Sequence, residues 1–343
     1  MTDLRAGSLG IPGVKPADED AGPSVLGDVD QSELEVRAAR ARARARAHGP
    51  KTQRVVAARP KLRYRLLELL RSRELFVFLV RKEIKVKYKN SFLGFLWSML
   101  NPALTILVYF FVFQVVLKNG IPSFVIYLFS GLLAWNLFQT GVLSATSVVV
   151  GNAGIVKKVA FPREILALSS VGAAFMFFVF QSTVMIGFML FLLHPPAWAD
   201  LWLLIPGMAA LLAFSAALAV FLSAVNVYFR DTQHLMEVLI TAWFWAAPVV
   251  YSYANSIAPK FATHWAGFKI IYWANPLTPI VLTFQRVLYA RGIYPTTHKS
   301  VLPNYSIGWY LASDLIVLAV SSILFLGAMV VFGRLEGNFA EEL

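Results

Sequence analysis

The apolar stretches of this chain carry amide and aromatic side chains at helical spacing and very few ionisable ones. Tyr109 and Phe113 stand four apart, as do Phe177 and Gln181; Asn136 and Gln139 flank Phe138, and Trp243 and Trp245 precede Pro248. Residues four apart share one face of a helix, so each pair aims a flat ring or an amide in one direction. Such faces offer neither a nucleophile nor a general base. They suit weak stacking on a hydroxylated ligand such as a sugar: a ring meets sugar C–H groups without bonds tight enough to trap a moving chain. Tyr109, Phe113, Phe177, Gln181 and Trp243 are therefore the candidates for lining a passage. The same residues serve as well as lipid-facing rings and interhelical amide bonds, and the sequence leaves both uses open.

Other chemistries have no foothold. The chain contains no Gly-Lys pair and hence no phosphate-cradling loop of the GxxxxGK[ST] type, no HExxH and no GxSxG. The histidines are scattered at positions 48, 194, 234, 264 and 298, and cysteine is absent, which removes disulfides, thiolate metal sites and thiol nucleophiles. Paired carboxylates within an apolar run would suggest a proton path or a membrane-embedded transferase. Only Glu237 and Asp314 come near such a run, each about one turn from an end, and both are expected at an interface. No catalytic residue, cofactor or metal is expected in this chain.

The elements that position these side chains are membrane spans. Of 343 residues 58% are hydrophobic and only 15% charged, too few charges for an ordinary soluble surface. Nearly uncharged runs occur at Ser91 to Leu117, Ile121 to Val156, Ile165 to Ala199, Leu201 to Phe229, Val238 to Pro259 and Leu315 to Gly333. Each is long enough for the roughly 20 residues that cross hydrocarbon as a helix. The sequence thus predicts an all-α polytopic membrane protein with six transmembrane helices over 91–333. One further apolar segment, Phe268 to Leu288, holds Asn275, Pro276 and Pro279 at its middle. Each Pro removes a donor and disfavours helix before it. Two short helices, re-entrant or at the outer interface, are expected there rather than a seventh span.

Charge sets the orientation. The formal net charge is +12, and residues 61–90 hold ten Lys or Arg against three Glu. The positive-inside tendency places that segment, both termini and the loops with Lys157, Lys158, Arg163 and Arg230 in the cytoplasm. On a helical wheel of 75–89, Arg81, Lys82, Lys85 and Lys89 share one sector and Leu75, Phe76, Leu79, Val80, Ile84 and Val86 fill the remainder; Phe78, Glu83 and Lys87 are exceptions. Residues 61–90 are expected to lie at the interface as basic amphipathic helices, apolar face among acyl chains and lysines at anionic headgroups. Residues 1–60, with ten basic and eight acidic residues and almost no aromatics, are expected to be disordered, and no secretory signal fits there. Residues 334–343 form a cytoplasmic C-terminal tail. Pro102 bends the first span, which fits lining a cavity and simple packing alike.

The stretch "RKEIKVKYKNSFLGFLWSMLNPAL" resembles the interface helix and first span of type-2 ABC exporter permeases for O-antigen, teichoic acid and related cell-surface polysaccharides, with Ser91, Leu93, Gly94, Trp97 and Pro102 at the shared positions. "GNAGIVKKVAFPREIL", "NVYFRDTQHLMEV", "WFWAAPVVYS" and "ANPLTPIV" follow in the family's order, and the resemblance covers about Arg71 to Glu336. It implies a homodimeric permease of the plasma (inner) membrane with two copies of a separate P-loop ATPase subunit that binds ATP and Mg. It also implies that Phe161, Pro162, Arg163 and Glu164, with Lys85 and Lys89 of the interface helix, contact that subunit, and that the segment with Asn275, Pro276 and Pro279 forms short gate-like helices at the outer side. The partners so implied are the ATPase, a second copy, membrane lipid and a lipid-linked polysaccharide, and no nucleic acid. An exporter of lipid or drug is the alternative within the class, and a membrane-embedded glycosyltransferase the alternative outside it. The latter would be expected to carry acidic or basic residues at a membrane-facing site, and these loops are nearly bare of carboxylates.

Overall fold

The structure, a computed structural model, describes residues 35–40, 62–88, 97–262, 266–290, 292–294 and 298–343. Among these residues the architecture is helical, and the pairing of extended chain is limited to one isolated antiparallel bridge, Ile293 to Ser300. Residues 35–40 form a short exposed helix. The rest of the N-terminal tail and residues 89–96, including Lys89, lie outside the described residues.

Two helices, α1 (Leu62–Arg71) and α2 (Arg73–Tyr88), come first. Helix α3 (Trp97–Tyr109) contains Pro102 and continues as a π-helix over Phe110–Val116. Then follow α4 (Phe124–Gly151), α5 (Glu164–Phe191), α6 (Leu204–Tyr228), α7 (Thr232–Ala246), α8 (Ala266–Trp273), α9 (Leu277–Leu288) and α10 (Ile307–Leu335). The spans Phe124–Gly151, Glu164–Phe191, Trp198–Tyr228 and Ile307–Asn338 are long and apolar enough to cross a bilayer. Their apolar residues run round the whole helix, as expected where every side meets either hydrocarbon or another helix.

The first and fifth expected spans are less regular. Leu100–Val116 is a shorter apolar helix. The run Val238 to Pro259 is not one helix: α7 stops at Ala246, and Ala247 adopts the extended φ −99°, ψ 142°. Pro248 explains the stop, because its ring disfavours the helical region in the residue before it. The chain re-forms as a short π-turn over Tyr253–Ile257 and a 3-10 turn over Ala258–Ala262. The break at Asn275-Pro276 divides the next segment into α8 and α9, as its residues predict. All twelve residues of α9 are buried, among α4, α6 and α10.

Helix α4 is central, packing on α5, α6, α7 and α9. Its Tyr127, Leu128 and Phe138 sit in one core with Phe214 of α6 and Phe284 of α9. The apolar face of α2 does not lie wholly among acyl chains. Leu79 and Val80 are buried, with Phe76 and Val80 close against Gly172 of α5, whereas Val77, Phe78 and Val86 remain exposed. A Cβ at position 172 would come within 2.7 Å of Phe76 and 2.9 Å of Val80, so the absence of a side chain there lets α2 seat on α5.

Candidate functional site

A polar groove opens between α3, α4, α5 and α7. Its larger part, about 460 Å³, is lined by Asn101 and Thr105 of α3, Asn136, Gln139, Thr140 and Ser144 of α4, and Phe177 and Gln181 of α5. Lys87 of α2 and Trp97 complete the same end. A second part, about 260 Å³, shares Asn101, Thr105, Asn136 and Gln139 and adds Tyr109, Trp135, Thr241 and Phe244. From Ser144 to Leu132 along α4 the groove follows twelve residues, about 18 Å at 1.5 Å per residue. The lining groups arise from helix geometry: Asn136, Gln139, Thr140 and Ser144 fall at three- and four-residue steps on one face of α4. Trp135 Nε1 donates to Gln139 Oε1 at 2.7 Å, and Asn136 Nδ2 to Gln181 Oε1 at 3.4 Å. These bonds hold the amides in place across α4 and α5.

Lys87 is the charged member of this lining; its Nζ lies 4.3 Å from the centroid of the Phe177 ring. Partial burial there lowers its pKa from the ordinary lysine value. The remaining lining is hydroxyl, amide and ring. Such a surface can hydrogen-bond and stack on a neutral polyol.

The five residues predicted to line a passage divide. Tyr109, Phe177 and Gln181 do line the groove. Phe113 packs against Phe124 and Trp245, and Trp243 against Phe138 and Phe214 at 5.4 and 5.9 Å between centroids; neither is among the lining residues. Asn101, Thr105, Thr140 and Ser144 escaped sequence reasoning. The four-residue spacing of Asn136, Thr140 and Ser144 was a signal that could have found two of them, obscured by the apolar residues between.

At one end of the bundle, three distant segments meet in an ionic cluster. Arg65 of α1 pairs with Glu164, at the start of α5, and with Glu336 after α10, the latter at 2.5 Å. Arg163 donates to the Glu336 carbonyl at 2.9 Å and stands over the Phe339 ring at 5.8 Å. Tyr228 Oη donates to the Leu335 carbonyl at 2.7 Å. Glu164 is thus buried, and Phe161 packs on the neighbouring apolar core with Pro162 half-buried. The part of this loop turned outward is Ile155 with Lys157 to Ala160, and Lys85 of α2 is exposed as well.

The opposite end is tied by α9. Arg286 Nε donates to Asp200 Oδ2 at 2.9 Å, both side chains being buried. Asp314 is fully buried in the protein and accepts from Thr283 Oγ1 at 2.9 Å, because α9 covers it. Glu237 is exposed as expected. Asn275 Oδ1 accepts from Trp243 Nε1 at 2.9 Å and from the Leu277 amide at 3.1 Å, so it caps α9 and fastens it to α7. Pro276 stands at the helix start and Pro279 is buried within its first turn, where a missing N–H costs no helical bond.

An all-helical, multi-pass protein with a groove of amides, hydroxyls and rings and one lysine at its end has the build of a membrane permease. Residues 74–289 match the model of the ABC-2 type transporter family, to which the chain belongs. It is similar to the O-antigen export system permease protein RfbA of Myxococcus xanthus, at 34% identity over 80% of this chain and 98% of that protein. It is also similar to the protein of the same name from Klebsiella pneumoniae, at 29% identity over 82% and 99% of the two chains. The chain is a transport permease of an ABC export system, and such a system implies an ATPase partner.

Proposed function

We propose that this chain is the membrane subunit of an ATP-driven exporter that moves a lipid-linked polysaccharide out across the plasma membrane. Two copies work with a separate P-loop subunit that binds ATP and Mg. The observation that carries this reading is the groove: amides, hydroxyls and rings at membrane depth with a single cation at one end. Uncovered in hydrocarbon, those amides would cost several kcal/mol each, roughly 4–8 kcal/mol on an alkane scale. A second copy closing the open side, with water and glycan inside, removes that cost and makes a conduit. A lipid or hydrophobic drug would gain little from such a lining. A transferase would need a carboxylate or other reactive group there, and none lines the groove among the described residues.

In this reading α3 and α7 complete six passes within 91–333. From Trp97 to Val116 the first pass rises about 30 Å at 1.5 Å per residue, enough for the hydrocarbon layer. Both termini and the ionic cluster face the cytoplasm, where residues 61–90 carry their excess of Lys and Arg. The ATPase meets the exposed Lys157 to Ala160 loop and Lys85, while Phe161 to Glu164 transmit its movement to α1 and α10 through the ionic cluster. Asn275 and Pro276 hinge the outer gate, with Pro279 fixing the first turn of α9.

The chain contains no cysteine. Thr105→Cys or Gln139→Cys can therefore be labelled with a bulky maleimide in vesicles carrying the permease and its ATPase subunit. ATP-dependent delivery of a lipid-linked glycan should fall to background on labelling, while Ile323→Cys on the exposed face of α10 keeps it. Delivery undiminished by the groove labels would overturn the reading.

A further inference from the structure

The basic residues of α2 have different environments. Arg81 and Lys85 are exposed, and Lys82 donates to Asn152 Oδ1 at 2.6 Å. Lys87, one of the exceptions to the basic sector of the wheel, is exposed as well, but it lines the groove and its ammonium rests over Phe177. No carboxylate pairs with it among the described residues, and the eleven other residues that line this part of the groove are uncharged. Phe177 lies thirteen residues into α5, about 20 Å from its first residue at 1.5 Å per residue. A cation on the wall of a groove this far along a span, with no carboxylate beside it, gains from an anionic partner, and ionisable groups at such depth mark substrate paths. Amides of Asn136, Gln181 and Asn101 line the same space and supply donors for anionic oxygens.

We propose that Lys87 is an anion-recognition residue at the α2 end of the groove, and that it takes the phosphate or diphosphate through which the exported glycan is joined to its lipid. The assignment rests on the export reading above. Phe177 holds the ammonium beside the path by its ring face, a contact that fixes position without consuming N–H donors. The phosphate then enters first and the uncharged glycan follows into the amide-lined part, where nothing binds it tightly. The two sources of phosphate are the substrate linkage and the headgroups of bulk phospholipid, and the proposal commits to the former.

The test uses the full permease with its ATPase subunit in discs of phosphatidylcholine, with a long-chain isoprenoid diphosphate and the corresponding alcohol as probes. Wild type should bind the diphosphate at least about ten-fold more tightly than the alcohol, one charge-assisted contact being worth about that factor. Lys87→Gln should lose most of this preference, Lys87→Arg should keep it, and Arg81→Gln should match wild type. A Lys87→Gln complex that discriminates as well as wild type overturns the assignment and leaves the export reading untouched. Equal competition by phosphatidylglycerol in wild type, lost in Lys87→Gln, overturns it in favour of bulk headgroups. A wild type that binds diphosphate through Lys87 yet delivers no lipid-linked glycan keeps the anion site and overturns the export reading.

Discussion

The carboxylate of Glu164 is turned into the protein and pairs with the guanidinium of Arg65 on α1. A sequence of the form Arg-Glu on a short turn suggests two charges offered to a partner, but here the acid is consumed internally. Removing one member of a buried pair leaves the other uncompensated, at a cost of about 3–5 kcal/mol. Arg65→Ala should lower the melting midpoint of the purified permease more than Glu164→Gln does, because it strands Glu336 as well. Arg65→Met with Glu164→Leu should recover much of the loss. A melting midpoint unmoved by Arg65→Ala would contradict the cluster.

The outward face of the same loop leads to a separable effect. Lys157 and Lys158 are exposed, whereas Arg163 is engaged with the Glu336 carbonyl and Phe339. Lys157→Glu with Lys158→Glu should depress ATPase activity of the assembled complex while leaving the melting midpoint of the permease in place. Arg163→Glu should lower the midpoint itself, by about 1–3 kcal/mol of stability for one broken charge-assisted bond. If the lysine variants couple normally, the exposed loop is not the contact.

Asn275 serves two donors from one oxygen. Asn275→Ala leaves the Trp243 indole and the Leu277 amide without an acceptor, at about 1–3 kcal/mol each for buried groups. Thermal scans should show that loss, and Trp243→Leu should reduce folded protein through lost packing on Phe138 and Phe214. Trp243→Leu with normal folding and sharply reduced export would instead return Trp243 to the path.

Gly172 of α5 lies directly against Phe76 and Val80 of α2. Gly172→Val should push α2 away, overpacking of this kind costing about 1–3 kcal/mol. A thiol introduced as Val80→Cys, buried in the parent, should become reactive to maleimide in the Gly172→Val background. Continued protection would show that α2 tolerates the added side chain.

Much of this was legible in the chain itself. Continuous apolar runs gave the long spans, and Asn275-Pro276 marked the division of α8 from α9, because both depend on local rules of length and backbone donors. The same rule applied to Pro248 would have shortened α7, but high hydrophobicity masked it. Partnerships between distant residues were hidden. Nothing near Glu164 in sequence indicates Arg65, and nothing near Asp314 indicates that Thr283 of α9 covers it. Aromatic spacing found Tyr109 and Phe177 but could not tell them from Phe113 and Trp243, since ring faces pack in cores and line paths by the same periodicity.

The central claim is that the groove between α3, α4 and α5 carries glycan. The most direct measurement places a photo-crosslinking amino acid at Thr105 or Asn136 and, as reference, at Ile323, which is 69% exposed on α10. The complete complex is illuminated during ATP-driven turnover with a radiolabelled lipid-linked glycan. Label should become attached at Thr105 and Asn136, depend on ATP, and be absent at Ile323. Label that fails to appear at both groove positions while export proceeds, or that appears equally at Ile323, would contradict the account.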